Sequence, residues 1–151
     1  MNILIFQTVY IENMLSIPYD SHRTLVNLLE SAQAKIGTMH YSRRSAVRMT
    51  EFMSEAMHAS LLRQLKTSTT PKFSIILDSA TDPSLNHYLI TYFQMLVDHK
   101  PTIVFYRLIL LDRDESAEGI KNKLLAEIEK DGLSDTLHMH LVGLATDGEF
   151  K

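Results

Sequence analysis

The sequence predicts an α/β protein of the α+β kind, with helices first and a sheet built late. Apolar residues recur at helical spacing until about residue 65. Beyond Pro71, short runs rich in β-branched and aromatic residues replace that period. Two of these runs, residues 73–77 and 141–146, each lead into an aspartate, Asp78 and Asp147. A carboxylate at the C-terminal end of a buried strand sits at the rim where open α/β sheets place their chemistry.

With 151 residues, the chain has room for one domain with a true core. Its composition, 45% hydrophobic and 22% charged, is that of an ordinary globular protein. A net charge of −3 gives no whole-chain attraction to nucleic acid, so any basic surface must be local. The lack of cysteine excludes disulfides and thiolate zinc sites. No apolar run approaches the roughly 18 residues of a membrane span, so no membrane partner is expected. The apolar start has no basic flank and reads as folded helix rather than a signal peptide.

In chain order, Ile3, Phe6, Val9 or Tyr10, and Met14 predict a helix over residues 2–15, stopped by Pro18. Asp20 or Ser21 caps a second helix, with Leu25, Leu28, Leu29 and Ala32 inward and Gly37 ending it. Ser42 caps a third helix reaching Leu65, whose stripe from Met49 through Phe52, Met53, Ala56 and Met57 to Leu61 reads as core. Residues 67–71, Thr-Ser-Thr-Thr-Pro, are the boundary between a helical region, 1–70, and a sheet region, 71–151. Three strands follow as a meander: 73–78, 88–97 and 102–111. Asp114, Glu115 and Ser116 open a helix that buries Ile120, Leu124 and Ile128 and closes at Gly132. A last strand completes the order β-β-β-α-β.

A helix between the third and fourth strands permits a crossover that returns the fourth strand parallel to the first. Asp78 and Asp147 then become neighbours at one rim. Two such carboxylates repel unless a cation lies between them, and hard oxygen ligands favour Mg²⁺ or Mn²⁺. Two-metal phosphoryl-transfer enzymes use such a pair.

The words Ile17-Pro18-Tyr19-Asp20, Tyr41-Ser42-Arg43, Phe73-Ser74-Ile75-Ile76-Leu77-Asp78, Thr81-Asp82, Ser116-Ala117-Glu118-Gly119-Ile120 and Ala145-Thr146-Asp147-Gly148 occur in that order along nearly the whole chain. Together they resemble the hAT superfamily of DNA transposases, and more closely the domesticated vertebrate proteins of the zinc finger 862 and MYM type. The resemblance implies N-terminal helices before a partial ribonuclease-H-like core, with Asp78 and Asp147 as the first two acids of a DDE-type catalytic and metal-binding triad. It also implies a nuclear protein, with DNA or a nuclear protein as partner. The chain departs from the family at Ser79-Ala80, where Glu-Ser is common, and at Glu149-Phe150, where small residues are favoured. No counterpart of the third acid, of the later strands or of a zinc finger follows. The expectation is therefore a truncated or decayed copy, without catalysis and without a tightly held ion. The alternative is a non-enzymatic interaction or transcription-associated module on the same scaffold, one relative being a SUMO ligase.

Secondary candidates stand beside this pair. Arg43, Arg44 and Arg48, with Lys35 and His40 near, are the candidate nucleic-acid contacts, although a solvated face suits the acidic net charge better. His138 and His140, two apart, would share a strand face, yet no third metal ligand accompanies them. Glu118 and Glu127 read as exposed helix residues rather than a missing third acid. The last strand, apolar and uncharged, leaves an open edge through which the chain is expected to self-associate.

Overall fold

The computed structural model describes residues 3–37, 39–67, 72–97, 99–111 and 116–146. Helices occupy the first part of the chain and a four-stranded mixed sheet with two further helices the second, an α+β architecture. The chain divides into two compact units, Met1–His58 and Ala59–Lys151.

In the first unit, α1 is Ile3–Met14, α2 is His22–Ser31 and α3 is Arg43–Leu65, which runs on into the second unit. α1 forms where expected but buries Ile5, Thr8, Val9 and Glu12, while Ile3, Tyr10 and Met14 are exposed. The expected face holds at Val9 and at Phe6, which packs partly buried against the same core, but not at Ile3 or Met14, because α1 is apolar on nearly every side and hydrophobic periodicity alone cannot fix the face. α1 also stops before Pro18. Ser16, at φ 53°, turns left-handed, and the N–H of Ile17 donates to the Glu12 carbonyl at 2.8 Å. α2 ends in the same way at Gln33, φ 61°, and not at Gly37, with Ala34 N–H donating to Leu29 C=O. Its inward residues are His22 and Val26, with Leu29 partly buried, whereas Leu28 and Ala32 are exposed. The Ser42 hydroxyl accepts from Ser45 N–H at 3.2 Å and caps α3 as expected. The mid-helix stripe holds only in part, for Phe52, Ala56 and Met57 are exposed while Met53 packs partly buried against the first core. Ala46 and Met49 are buried in that first core and Leu61 and Leu65 in the second.

In the second unit, β1 is Phe73–Thr81, β2 is His87–Val97 and β3 is Lys100–Leu110. After them come α4, Ala117–Lys130, then α5, Ser134–His140, and β4, Leu141–Thr146. The sheet order is β3-β2-β1-β4, with β4 parallel to β1 and the other pairs antiparallel. This is the crossover geometry the strand order predicts. Phe73, Ile75 and Leu77 point to one face with Leu89, Phe93 and Met95. Ile120, Leu124 and Ile128 of α4 belong to the same core. Phe93 lies at its centre, 4.9 Å from the Phe73 ring and 4.6 Å from that of Tyr106.

The opposite face of the sheet is apolar yet open. Phe105, Leu108 and Leu110 on β3 are about half exposed, and Ile90 and Tyr92 on β2 only partly buried. α4 starts at Ser116, whose hydroxyl accepts from Gly119 N–H, and ends at Gly132, φ 67°, both as predicted. Asp114 and Glu115 lie outside the described residues.

Candidate functional site at the parallel strand pair

β1 does not end at Asp78. It runs on through Ser79, Ala80 and Thr81, because all three keep pairing with β2. Asp78 is therefore an interior residue of β1, opposite Ile90 and exposed. Alternation along the strand turns it away from the covered face that holds Leu77. On its other side β1 pairs with β4 as far as Leu77 with Thr146. Asp147 follows Thr146 and lies outside the described residues. β4 packs tightly here: a side chain on Gly143 would place its first carbon 3.0 Å from the Ser74 hydroxyl.

Asp82, where the chain leaves the strand, has a structural task. Its carboxylate accepts from Ser84 N–H at 2.8 Å, Asn86 N–H at 2.9 Å and the Asn86 amide at 2.9 Å. These bonds, Asn86's foremost, hold its carboxyl below the usual range and fix the β1–β2 turn.

The two histidines are not on a strand. His138 and His140 lie in α5, where residues two apart point about 200° from one another. No shared metal face follows. A seven-residue helix is too short for an apolar period to stand out from the strand after it, which is why α5 was missed.

Arg43 makes an exposed 3.3 Å ion pair with Asp20, and Arg44 and Arg48 are exposed on α3. A shallow open pocket of about 500 Å³ lies close by, lined by Arg23, Glu30, His40, Tyr41, Ser42 and Ser45. Within it the Tyr41 hydroxyl donates to Glu30, and that bond pushes the phenol pKa up.

Glu118 is exposed and 3.8 Å from Lys121. Glu127 departs from expectation. It is largely covered, and its carboxylate is 2.8 Å from Arg107. Arg107 also donates to both Asp131 oxygens, at 2.9 and 2.8 Å, and Tyr106 donates to Asp131 at 2.7 Å. A β-bulge makes this possible. Thr91 pairs with Arg107 and Tyr92 with Phe105, so Tyr106 is the extra residue and two consecutive side chains reach α4. Burial, and next the Asp131 hydrogen bond, push the Tyr106 phenol far above its ordinary range.

Sequence reasoning also missed Glu12 and His22, both fully buried and 2.8 Å apart. The other ring nitrogen of His22 is 2.9 Å from the His40 carbonyl. Both ring nitrogens thus face oxygens, one of a carboxylate and one of a backbone carbonyl. A lone Glu in an apolar helix was the available signal.

Among the described residues no group of three His, Cys, Asp or Glu side chains is placed to hold a metal ion. No helix among them is long and apolar enough to cross a membrane. No protein-family model, curated protein or solved structure matches this chain.

Proposed function

We propose that the chain is a hAT-transposase-derived nuclear protein, carrying the first strands of a ribonuclease-H-like core and two residues of an ancestral metal site, without strand-transfer activity. The observation that supports this reading is the parallel pairing of Leu77 with Thr146, because each is followed in sequence by an aspartate, Asp78 and Asp147. A Mg²⁺ or Mn²⁺ ion held by two carboxylates alone keeps most of its water. In-line displacement needs ions that fix both the attacking and the leaving oxygen, and losing that positioning removes much of the rate. The Arg43, Arg44 and Arg48 cluster is the DNA-facing surface in this reading.

A second reading, a non-enzymatic interaction module on the same scaffold, is favoured by the open apolar sheet face around Phe105, Leu108 and Leu110.

Mn²⁺ titration followed by NMR tests the site. Millimolar Mn²⁺ is expected to broaden the amides of Leu77, Asp78 and Thr146 first, with an effect reduced in Asp78→Ala. Broadening centred elsewhere overturns the metal-site assignment. Nicking of plasmid DNA in Mn²⁺ that disappears in Asp147→Ala overturns the inactive reading.

A further inference from the structure

We propose that the open face of the sheet is where two copies of this chain meet, packed sheet on sheet. The inference rests on the second reading above, that this face binds protein, and names the partner as a second copy. A single β-bulge builds the face. Along an unbroken strand Phe105 and Leu108, three residues apart, would point to opposite sides of the sheet. Tyr106 is the extra residue between the pairs Tyr92 with Phe105 and Thr91 with Arg107. The alternation resets there, so Ile103 and Phe105 share their side of the sheet with Leu108 and Leu110. At the middle of that face the rings of Tyr92 and Phe105 meet edge to face, 5.9 Å apart.

Pairing across the strands fixes the rest of the surface. Leu110 stands beside Tyr88 and Leu108 beside Ile90, on either side of the next row toward Phe105. On β1 the same face receives Ile76, opposite Tyr92, and Asp78, opposite Ile90. Strand alternation makes Asp78 the one charged side chain that the described residues of the four strands turn to this face. It sits one strand outside the β2–β3 patch. The patch itself is uncharged.

Its area matches what a dimer needs. Leu96, Ile103, Phe105, Leu108 and Leu110 are each between 47 and 58% exposed. At roughly 200 Å² for a whole large side chain, these five leave on the order of 500 Å² of apolar surface in water, a patch size that is often functional. Two copies face to face remove on the order of 1,000 Å² from these side chains alone, where specific interfaces begin. The partly buried residues of β1 and β2 add to it. Charge and shape favour a copy over another partner. An uncharged patch offers nothing to a charged surface, and laid on itself it brings no like charges together. Two sheets of the same twist lie about 10 Å apart with interdigitating side chains and strands within about 30° of each other. The dyad then runs nearly along or nearly across the strands. Either way the two Asp78 carboxylates stay on the order of 10 Å apart, about a Debye length.

The test is sedimentation equilibrium of the full chain, together with NMR on a mixture of methyl-labelled and unlabelled copies. Expected are a dimer with a dissociation constant at or below about 100 µM and intermolecular NOEs from the methyls of Ile103, Leu108 and Leu110 to aromatic rings of the unlabelled copy. Phe105→Glu sets a charge at the centre of the patch, on a side chain the single chain leaves half exposed, and should weaken the dimer at least about tenfold. Should that variant fail to fold, Leu110→Lys at the end of the patch decides, with the same loss expected. Leu144→Glu, on β4 and turned to the other face, should leave the dimer unchanged. A dimer that survives the patch variants, or whose intermolecular contacts map to α1 or to a sheet edge, overturns the proposal. So does a chain that stays monomeric up to about 1 mM. In that case, capture of a different protein by the wild-type chain and not by the patch variant overturns the second copy alone, and capture of none overturns the interaction reading with it.

Discussion

The two units solve the same packing problem with different means. The sheet unit gathers a continuous apolar core, from Leu61 and Leu65 through Phe73, Phe93 and Tyr106 to Ile128, with the largely covered ions Arg107, Glu127 and Asp131 where β3 meets α4. Among the described residues the helical unit has a smaller core of six buried apolar residues, Ile5, Val9 and Val26 among them, and beside these the fully buried, hydrogen-bonded pair Glu12 and His22. In so small a core a single polar contact weighs heavily, because a buried donor or acceptor left without its partner costs about 1–3 kcal/mol. The sheet unit is therefore held by shape and area, and the helical unit by one polar contact as much as by its aliphatic residues.

The largest expected effects test that contrast directly. Phe93→Ala removes a fully buried ring between two others and should cost about 3–5 kcal/mol. Native-state hydrogen exchange should show the loss in β1 and β2 amides. Glu12→Ala leaves a His22 ring nitrogen buried without its hydrogen-bond partner and should cost about 1–3 kcal/mol, read out in α1 and α2 amides. Replacing both by leucine should recover most of that loss, since apolar replacement of a buried pair is often neutral. A Glu12→Ala variant whose β2 amides lose as much protection as those of α1 would break the contrast, because the chain would then unfold as one cooperative body.

The same division explains what the sequence made legible. The strands, their order and the inward residues of α4 were readable because each apolar set has polar or turn residues around it, as with Ser116 and Gly132 bounding Ile120, Leu124 and Ile128. The face of α1 was readable only at Phe6 and Val9, since Ile3, Tyr10 and Met14 are as apolar as these. The stripe of α3 failed in part, for another reason. Periodicity shows that a face is apolar, but not whether anything covers it, and Phe52 and Met57 stay exposed. Arg107 was invisible because its place depends on a bulge, and no residue type announces that Tyr106 is supernumerary. For the candidate site, the parallel return of β4 beside β1 was readable from strand order. The three further residues of β1 were not, because Ser79 and Ala80 carry no strong strand signal and Thr81 runs straight into the turn residues Asp82 and Pro83.

The smallest effects sharpen the comparison at the helix ends. α1, α2 and α4 all close with a left-handed residue and paired backbone bonds of the Schellman kind. The helical unit places Ser16 and Gln33 there, at φ 53° and 61°, and the sheet unit places Gly132 at φ 67°. A side chain in that conformation costs roughly 1–2 kcal/mol. Glycine avoids this cost but loses about 0.5–1 kcal/mol through the freedom of its unfolded chain. The difference predicts opposite signs for opposite changes. Gln33→Gly should stabilise the helical unit by about 0.5 kcal/mol, and Gly132→Ala should destabilise the sheet unit by about 1 kcal/mol. Crowding adds little at Gly132, where the new methyl would lie 3.1 Å from the Lys66 ammonium, the free end of a flexible side chain. Urea denaturation with amide exchange in α2 and α4 measures both changes. If Gln33→Gly destabilises instead, the αL strain at Gln33 is smaller than the chain entropy it saves, and the two units end their helices equally well.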